Sequence, residues 1–107
     1  MIRRAREDDI ATIQELEQEA FGLTWDRATF LKELRRENGC TVVAEEEGRP
    51  IGAALLVWAA DEVQLNSIVI HKECRGRGLS SPFLGGLMFW CQSHRFSWMT
   101  LEVKWHN

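Results

Sequence analysis

The chain has 107 residues, 45% of them hydrophobic and 27% charged, with a formal charge of −3. That length suits one compact domain, residues 1–107, with a modest core and is too short for two. The composition excludes a disordered chain, and the acidic balance argues against general nucleic-acid binding while suiting a basic peptide partner.

No apolar run nears the roughly 20 residues needed to span a bilayer. The opening Met1-Ile2-Arg3-Arg4 has no apolar signal core, so neither a membrane nor export is expected. Cys40, Cys74 and Cys91 are odd in number and far apart. A disulfide framework or a zinc site is therefore not expected, and a reducing cytoplasm fits.

Ile2 to Ala5 reads as a short first strand. Asp8 and Asp9 are suited to cap a helix, and Ile10, Ile13, Leu16 and Ala20 follow at helical spacing, with an end expected near Phe21-Gly22. Asp26 is a second cap, and Phe30, Leu31 and Leu34 give the next helix an apolar side. Thr41 to Ala44 is β-prone, Glu45 to Pro50 is a polar turn, and Ile51 to Trp58 is apolar again. This predicts a hairpin with Gly48 at positive φ. The run Gly52-Ala53-Ala54-Leu55-Leu56-Val57 scarcely alternates, as in a strand covered on both faces.

Val63 to Ile70 is the next strand. It feeds the basic, Gly-punctuated stretch Arg75-Gly76-Arg77-Gly78 and then a helical pattern from about Ser80. Pro82 is tolerable there only in the first turn. The helix has Phe83, Leu84, Leu87, Met88 and Cys91 on its apolar side, and Gly85-Gly86 weakens it by about 1 kcal/mol per residue relative to alanine. Trp98 to Val103 is the last strand. A strand, crossover helix and strand in this order predicts parallel pairing between Val63–Ile70 and Trp98–Val103.

A strand entering a Gly-rich turn and then a helix is suited to phosphate oxygens. Glycine lets backbone N–H groups approach closely, and the first helical turn offers unpaired donors at the positive end of the dipole. The two arginines add charge for a polyphosphate. An ordinary strand-to-helix connection with a solvated basic loop is the alternative at this level, since short Gly patterns are common.

Arg75-Gly76-Arg77-Gly78-Leu79-Ser80 resembles the acyl-CoA pyrophosphate signature of the GNAT N-acetyltransferases: Arg or Gln, two residues, Gly, one residue, then Gly or Ala. Ser80 departs from the last position. The likeness extends to Ile2-Arg3-Arg4-Ala5, to Trp25-Asp26-Arg27-Ala28-Thr29-Phe30 and to Leu101-Glu102-Val103-Lys104. Within the family the chain resembles the branch that acetylates the N-terminal alanine of a small-subunit ribosomal protein.

The resemblance implies a mixed α/β (α+β) GNAT fold. Its central sheet is mostly antiparallel with a parallel, splayed strand pair, here lacking the family's last helix and two strands. It implies acetyl-CoA as co-substrate and an amine acceptor, here a protein N-terminus, with the first helix-loop-helix walling the acceptor groove. By resemblance the loop Arg75, Gly76, Arg77, Gly78, Leu79, Ser80 and Ser81 holds the pyrophosphate. Backbone groups of Ile68, Val69 and Ile70 bind the acetyl and pantetheine portions, and Asn107 matches an asparagine counted with the cofactor site.

Glu102 matches the family's proton acceptor. It lies between Leu101 and Val103 with its side chain on the opposite face of the strand. A protein α-amine, with a pKa of about 7.7–8.0, is largely protonated at neutral pH and needs such a base. Glu62 is a weaker candidate, because a carboxylate at a strand entry is commonly just solvated.

The chain has no tyrosine, whereas the family's proton donor to the departing thiolate is a tyrosine a few residues beyond the position of Asn107. A thiol pKa near 8.5 makes CoA a tolerable leaving group without it, so lowered catalysis is expected. Ending at Asn107 is also expected to leave the last strand with an open edge prone to association. An acyl-CoA- or protein-binding module without turnover is the second reading. A third takes the Arg75–Gly78 loop as an RNA contact, although no aromatics interleave with its arginines. His71, His94 and His106 lack ligand spacing, so no metal is expected. Cys74 has no base partner in view.

Overall fold

The computed structural model of the protein describes residues 2–60, 62–75, 80–94 and 98–101. Strand β1 (Ile2–Arg4) leads through a single 3-10 turn (Glu7–Asp9) into helix α1 (Ile10–Phe21), followed by α2 (Arg27–Leu34). Then come β2 (Gly39–Glu46), β3 (Arg49–Ala59) and β4 (Glu62–Ile70). A one-turn helix α3 (Lys72–Arg75) and the long α4 (Ser80–Ser93) precede β5 (Trp98–Leu101). Among the described residues the strands form one sheet in the order β1-β2-β3-β4-β5, antiparallel from β1 to β4 and parallel between β4 and β5. This is the mixed α/β arrangement expected, with the crossover through α4 making the parallel pair.

Local chemistry sets the boundaries. Gly22 closes α1 at φ +76°, its N–H donating to the Gln18 carbonyl at 2.9 Å, a conformation glycine adopts without a Cβ penalty. Asp26 caps α2 by accepting from the Thr29 N–H at 2.9 Å, as its position predicts. Asp9 stands at the N-cap position of α1, but its side chain caps no N–H of that helix. Its buried carboxylate turns back, accepting from the Arg6 N–H at 2.7 Å and from the two terminal guanidinium nitrogens of Arg3 at 2.8 and 3.0 Å. Arg3 also donates to Glu45 at 2.6 Å, so one arginine ties β1, the 3-10 turn before α1 and β2 together. The paired guanidinium competes for this carboxylate more strongly than a neutral helix N–H does.

The β2–β3 hairpin turns on Glu47 and Gly48, between the paired residues Glu46 and Arg49. Both lie at positive φ, +53° and +78°, the geometry of a type I′ turn whose twist matches the flanking strands.

The sheet separates two cores. On one face Val43, Ala53 and Val69 meet Ile10, Ile13, Leu16 and Ala20 of α1 and Phe30 of α2. On the other, Val42, Ala54, Leu56, Leu65, Ile68 and Ile70 meet Cys74 of α3 and Phe83, Leu87 and Cys91 of α4. Alternation of β3 between the two sets explains its unbroken apolar run: it is covered on both sides. Each fully buried aliphatic contributes about 1.5–3 kcal/mol.

Met88, expected on the apolar side of α4, is 51% exposed. It lies about 100° round the helix from Leu87, and Trp90 packs against the core instead. The two glycines of α4 differ. A Cβ on Gly86 would come within 3.1 Å of Ile2, so glycine there allows β1 to approach, whereas one on Gly85 would meet nothing within 4 Å.

Candidate active site

The site is built where β4 is interrupted. Leu55 pairs with Ser67 and Leu56 with Leu65, so Asn66 is the extra residue of a β-bulge. Bulges re-aim side chains and recur beside active sites. On the α1/α2 side the cross-strand row Val43–Ala53–Val69 lies beneath the helices, and the next row, Thr41–Leu55–Ser67, is the floor of an open cleft of about 470 Å³.

Three polar residues of α1 tie down the connection that walls this cleft. Gln14 Nε2 donates to the Trp25 carbonyl at 3.0 Å, and Gln18 Nε2 to the Gly22 carbonyl at 2.9 Å. The Thr24 hydroxyl donates to Glu17 Oε1 at 2.6 Å. Trp25 meets Phe30 edge-on with ring centroids 5.4 Å apart. Ile13, Phe21 and Leu23 make the wall apolar, so charge within it is conspicuous. Burial holds the Glu17 carboxyl above its ordinary pKa, opposed by the Thr24 hydrogen bond. Across the cleft Glu33 and Arg36 pair with each other at 3.3 Å. The Thr41 hydroxyl is buried at the cleft floor, and its oxygen has no hydrogen-bond partner among the described residues.

From the bulge β4 runs to Ile70, and the chain passes through α3 into α4. This 14-residue helix starts at Ser80, where the positive end of its dipole lies. Pro82 sits third in α4 and exposed, in the first turn as expected. The His71 ring accepts from the Glu73 N–H at 3.1 Å through Nδ1, capping α3. His94 donates from Nδ1 to the Trp90 carbonyl at 2.8 Å and stacks on the Trp90 ring at 4.0 Å. Both histidines are structural.

The cysteines are buried. Burial raises the Cys91 thiol pKa and pushes that of Cys40 up to about 11, against the pull of Arg4. Neither is a ready nucleophile, and Cys74 is enclosed in the α4-side core. Among the described residues no three His, Cys, Asp or Glu side chains come together to hold a metal.

Of the residues singled out in the sequence, Ile68 and Ile70 point into the α4-side core and Val69 into the α1/α2-side core. Only their backbone can face a ligand. Arg75 ends α3, and Ser80 and Ser81 open α4. Gly76, Arg77, Gly78, Leu79, Glu102 and Asn107 lie outside the described residues, as do His106 and the end of the last strand. The described part of β5 pairs with Glu62 to Leu65 of β4. Glu62 is exposed at the start of β4 and is absent from the cleft lining.

The sequence reading did not single out Glu17, Thr24, Thr41, Asn66 or Ser67. Glu17 was detectable as a charge between the core positions Leu16 and Ala20. The bulge at Asn66 breaks a strand that otherwise reads as regular.

Comparison with known proteins agrees with this geometry. An uncharacterized N-acetyltransferase of Methanocaldococcus jannaschii is 28% identical over 108 aligned residues, covering all of this chain and 69% of its own. A Bacillus subtilis protein provisionally named a ribosomal protein bS18-alanine N-acetyltransferase is also 28% identical, over 99% of this chain and 71% of that one. The crystal structure of the Escherichia coli ribosomal-protein-S18-alanine N-acetyltransferase superposes on 94% of this chain and 64% of that one. Its TM-score is 0.80 at 20% identity, a likeness of fold. Residues 10–107 match the acetyltransferase (GNAT) family, and the chain belongs to that family of acetyl-CoA-dependent N-acetyltransferases.

Proposed function

We propose that this protein acetylates the N-terminal α-amine of a protein, an alanine of a ribosomal protein, in the cytoplasm, with residues 1–107 acting as one GNAT domain. The observation that carries the reading is that one strand serves both halves of the reaction. The bulge of β4 borders the cleft beneath the α1–α2 connection, and its far end leads to the start of α4. A donor held at the helix start and an acceptor lying in the cleft therefore meet along β4. The name of the Bacillus relative supports the acceptor.

In this reading the loop Arg75, Gly76, Arg77, Gly78, Leu79, Ser80 and Ser81 holds the diphosphate of acetyl-CoA by backbone N–H groups and the arginine charges. Backbone groups of Ile68, Val69 and Ile70 receive the acetyl and pantetheine portions, and Asn107 completes the cofactor site. Glu102 takes one proton from the acceptor ammonium. The freed nitrogen forms a bond to the acetyl carbon, the carbon–sulfur bond breaks, and the second proton shed by the nitrogen passes through water to the departing thiolate. Closeness of the reacting groups supplies much of the rate, and the base contributes roughly 10²–10⁴-fold.

The test is acetyl transfer to an alanine-initiated peptide, with the modified nitrogen located by mass spectrometry. The wild-type chain acetylates the α-amine and Glu102→Gln nearly abolishes it. Unchanged turnover in Glu102→Gln removes that residue from its role. Coenzyme A binding without product would favour a binding module built on the same fold.

A further inference from the structure

The transferase reading assigns the donor end and the base but no group that recognises the acceptor. We propose that Glu17, oriented by the Thr24 hydroxyl, is the docking carboxylate that receives the acceptor as a primary ammonium ion. The inference rests on the acetyltransferase reading for its substrate class. Its residue comes from the cleft itself.

Three observations converge. Glu17 belongs to α1, yet it lies in the cleft among apolar neighbours, where a carboxylate loses hydration that no described cation restores. Its one hydrogen bond among those described comes from Thr24 at 2.6 Å. That bond fixes one oxygen and leaves the carboxylate with further acceptor capacity. The other charges of the cleft, Glu33 and Arg36, pair with each other at 3.3 Å, so the uncompensated charge is negative and belongs to Glu17. The buried Thr41 hydroxyl in the lining of the same cleft is a second polar group without a partner among the described residues.

A site of this make-up favours a short apolar group carrying a cation: Ile13, Phe21 and Leu55 contact the body and Glu17 the ammonium. It disfavours an anionic or uncharged acceptor, and an acetylated product, which has lost its charge, is held less tightly. Docking and proton removal are separate tasks. A carboxylate that binds the ammonium stabilises its charged form, so the proton is removed by another group. Glu17 is therefore a substrate-binding residue whose loss appears in KM rather than in kcat.

The experiment compares an alanine-initiated peptide with its Nα-acetylated counterpart, each titrated by NMR into the full wild-type chain and into Glu17→Gln. Amides of Thr24, Thr41 and Ser67 are the reporters. Wild type binds the free-amine peptide about tenfold or more tightly, as expected for a hydrogen bond between charged partners. Glu17→Gln loses that preference and melts no lower than wild type, since it relieves a desolvated charge. In steady state the same variant raises KM for the peptide and leaves KM for acetyl-CoA unchanged.

Equal binding of the two peptides by wild type, or a preference retained in Glu17→Gln, overturns the proposal. So does a fall in kcat at unchanged peptide KM, which would make Glu17 a base. Loss of acetyl transfer with the free-amine preference intact overturns the transferase reading and leaves Glu17 in place.

Discussion

The same substitution, glycine to alanine, is expected to act in opposite directions at Gly52 and Gly85. Gly52 lies in β3 with its face against α4. A Cβ built there would come 2.9 Å from Phe83 Cε2 and 2.9 Å from the Val69 carbonyl oxygen. The phenyl ring can swing away, but the carbonyl belongs to the neighbouring strand and is held in the β3–β4 ladder. Backbone propensity alone would favour alanine by about 0.5–1 kcal/mol. Overpacking costs typically about 1–3 kcal/mol, so sterics wins and Gly52→Ala destabilises. Gly85 has nothing within 4 Å of its would-be Cβ. Gly85→Ala therefore gains the helical preference of about 1 kcal/mol. For a domain of this size 1 kcal/mol moves the midpoint by roughly 4–8 °C. Thermal melts should thus fall by several degrees for Gly52→Ala and rise by several for Gly85→Ala, with urea midpoints moving in parallel. A Gly52→Ala chain as stable as wild type, or shifts of the same sign, would refute the packing of α4 on β3.

Asp9→Ala should destabilise by about 1–3 kcal/mol, because it removes two charge-assisted hydrogen bonds from the part-buried Arg3 guanidinium and leaves it only Glu45 as an acidic partner among the described residues. Hydrogen bonds from Arg3, then from the Arg6 N–H, hold the Asp9 carboxyl below the usual carboxylate range. Its stabilising contribution is therefore present above about pH 4 and is lost as pH falls through the depressed folded value, so urea midpoints of wild type and variant should converge in strong acid. Glu47→Asn should raise the melting midpoint by up to a few degrees, since asparagine accepts the left-handed conformation of the hairpin turn more readily than glutamate. Asp26→Ala should lower stability by about 0.5–2 kcal/mol through loss of the α2 cap, measured by urea unfolding.

Much of the fold was legible because local signals agreed with the global packing. The 3.6-residue recurrence of Ile10, Ile13, Leu16 and Ala20, the Gly22 stop and the Asp26 cap each act within one turn of chain. The parallel β4–β5 pair followed from the order of elements alone. Asp9 takes the N-cap position without the capping hydrogen bond, because its partner, Arg3, is brought to it by tertiary folding rather than by the helix. Met88 was misplaced because a stripe of consecutive apolar residues does not say which flank the sheet covers. The site was less legible than the fold. Asn66 and Ser67 matter through a bulge set by the register between β3 and β4. Glu17 and Thr41 matter through a cleft that exists only once α1, α2 and the sheet have assembled. The Arg75–Ser81 loop stood out by its glycines and arginines, whereas the role of Glu102 came from resemblance.

The central claim is that β4 and the start of α4 form the binding frame for an acyl-CoA. Its most direct test is titration of coenzyme A at millimolar levels into the ¹⁵N-labelled chain. The account predicts shifts concentrated in the amides of Gly76 to Ser81 and of Ile68 to Ile70, with the Asp9 and Glu47 amides unmoved. Undisturbed amides across both stretches would contradict it.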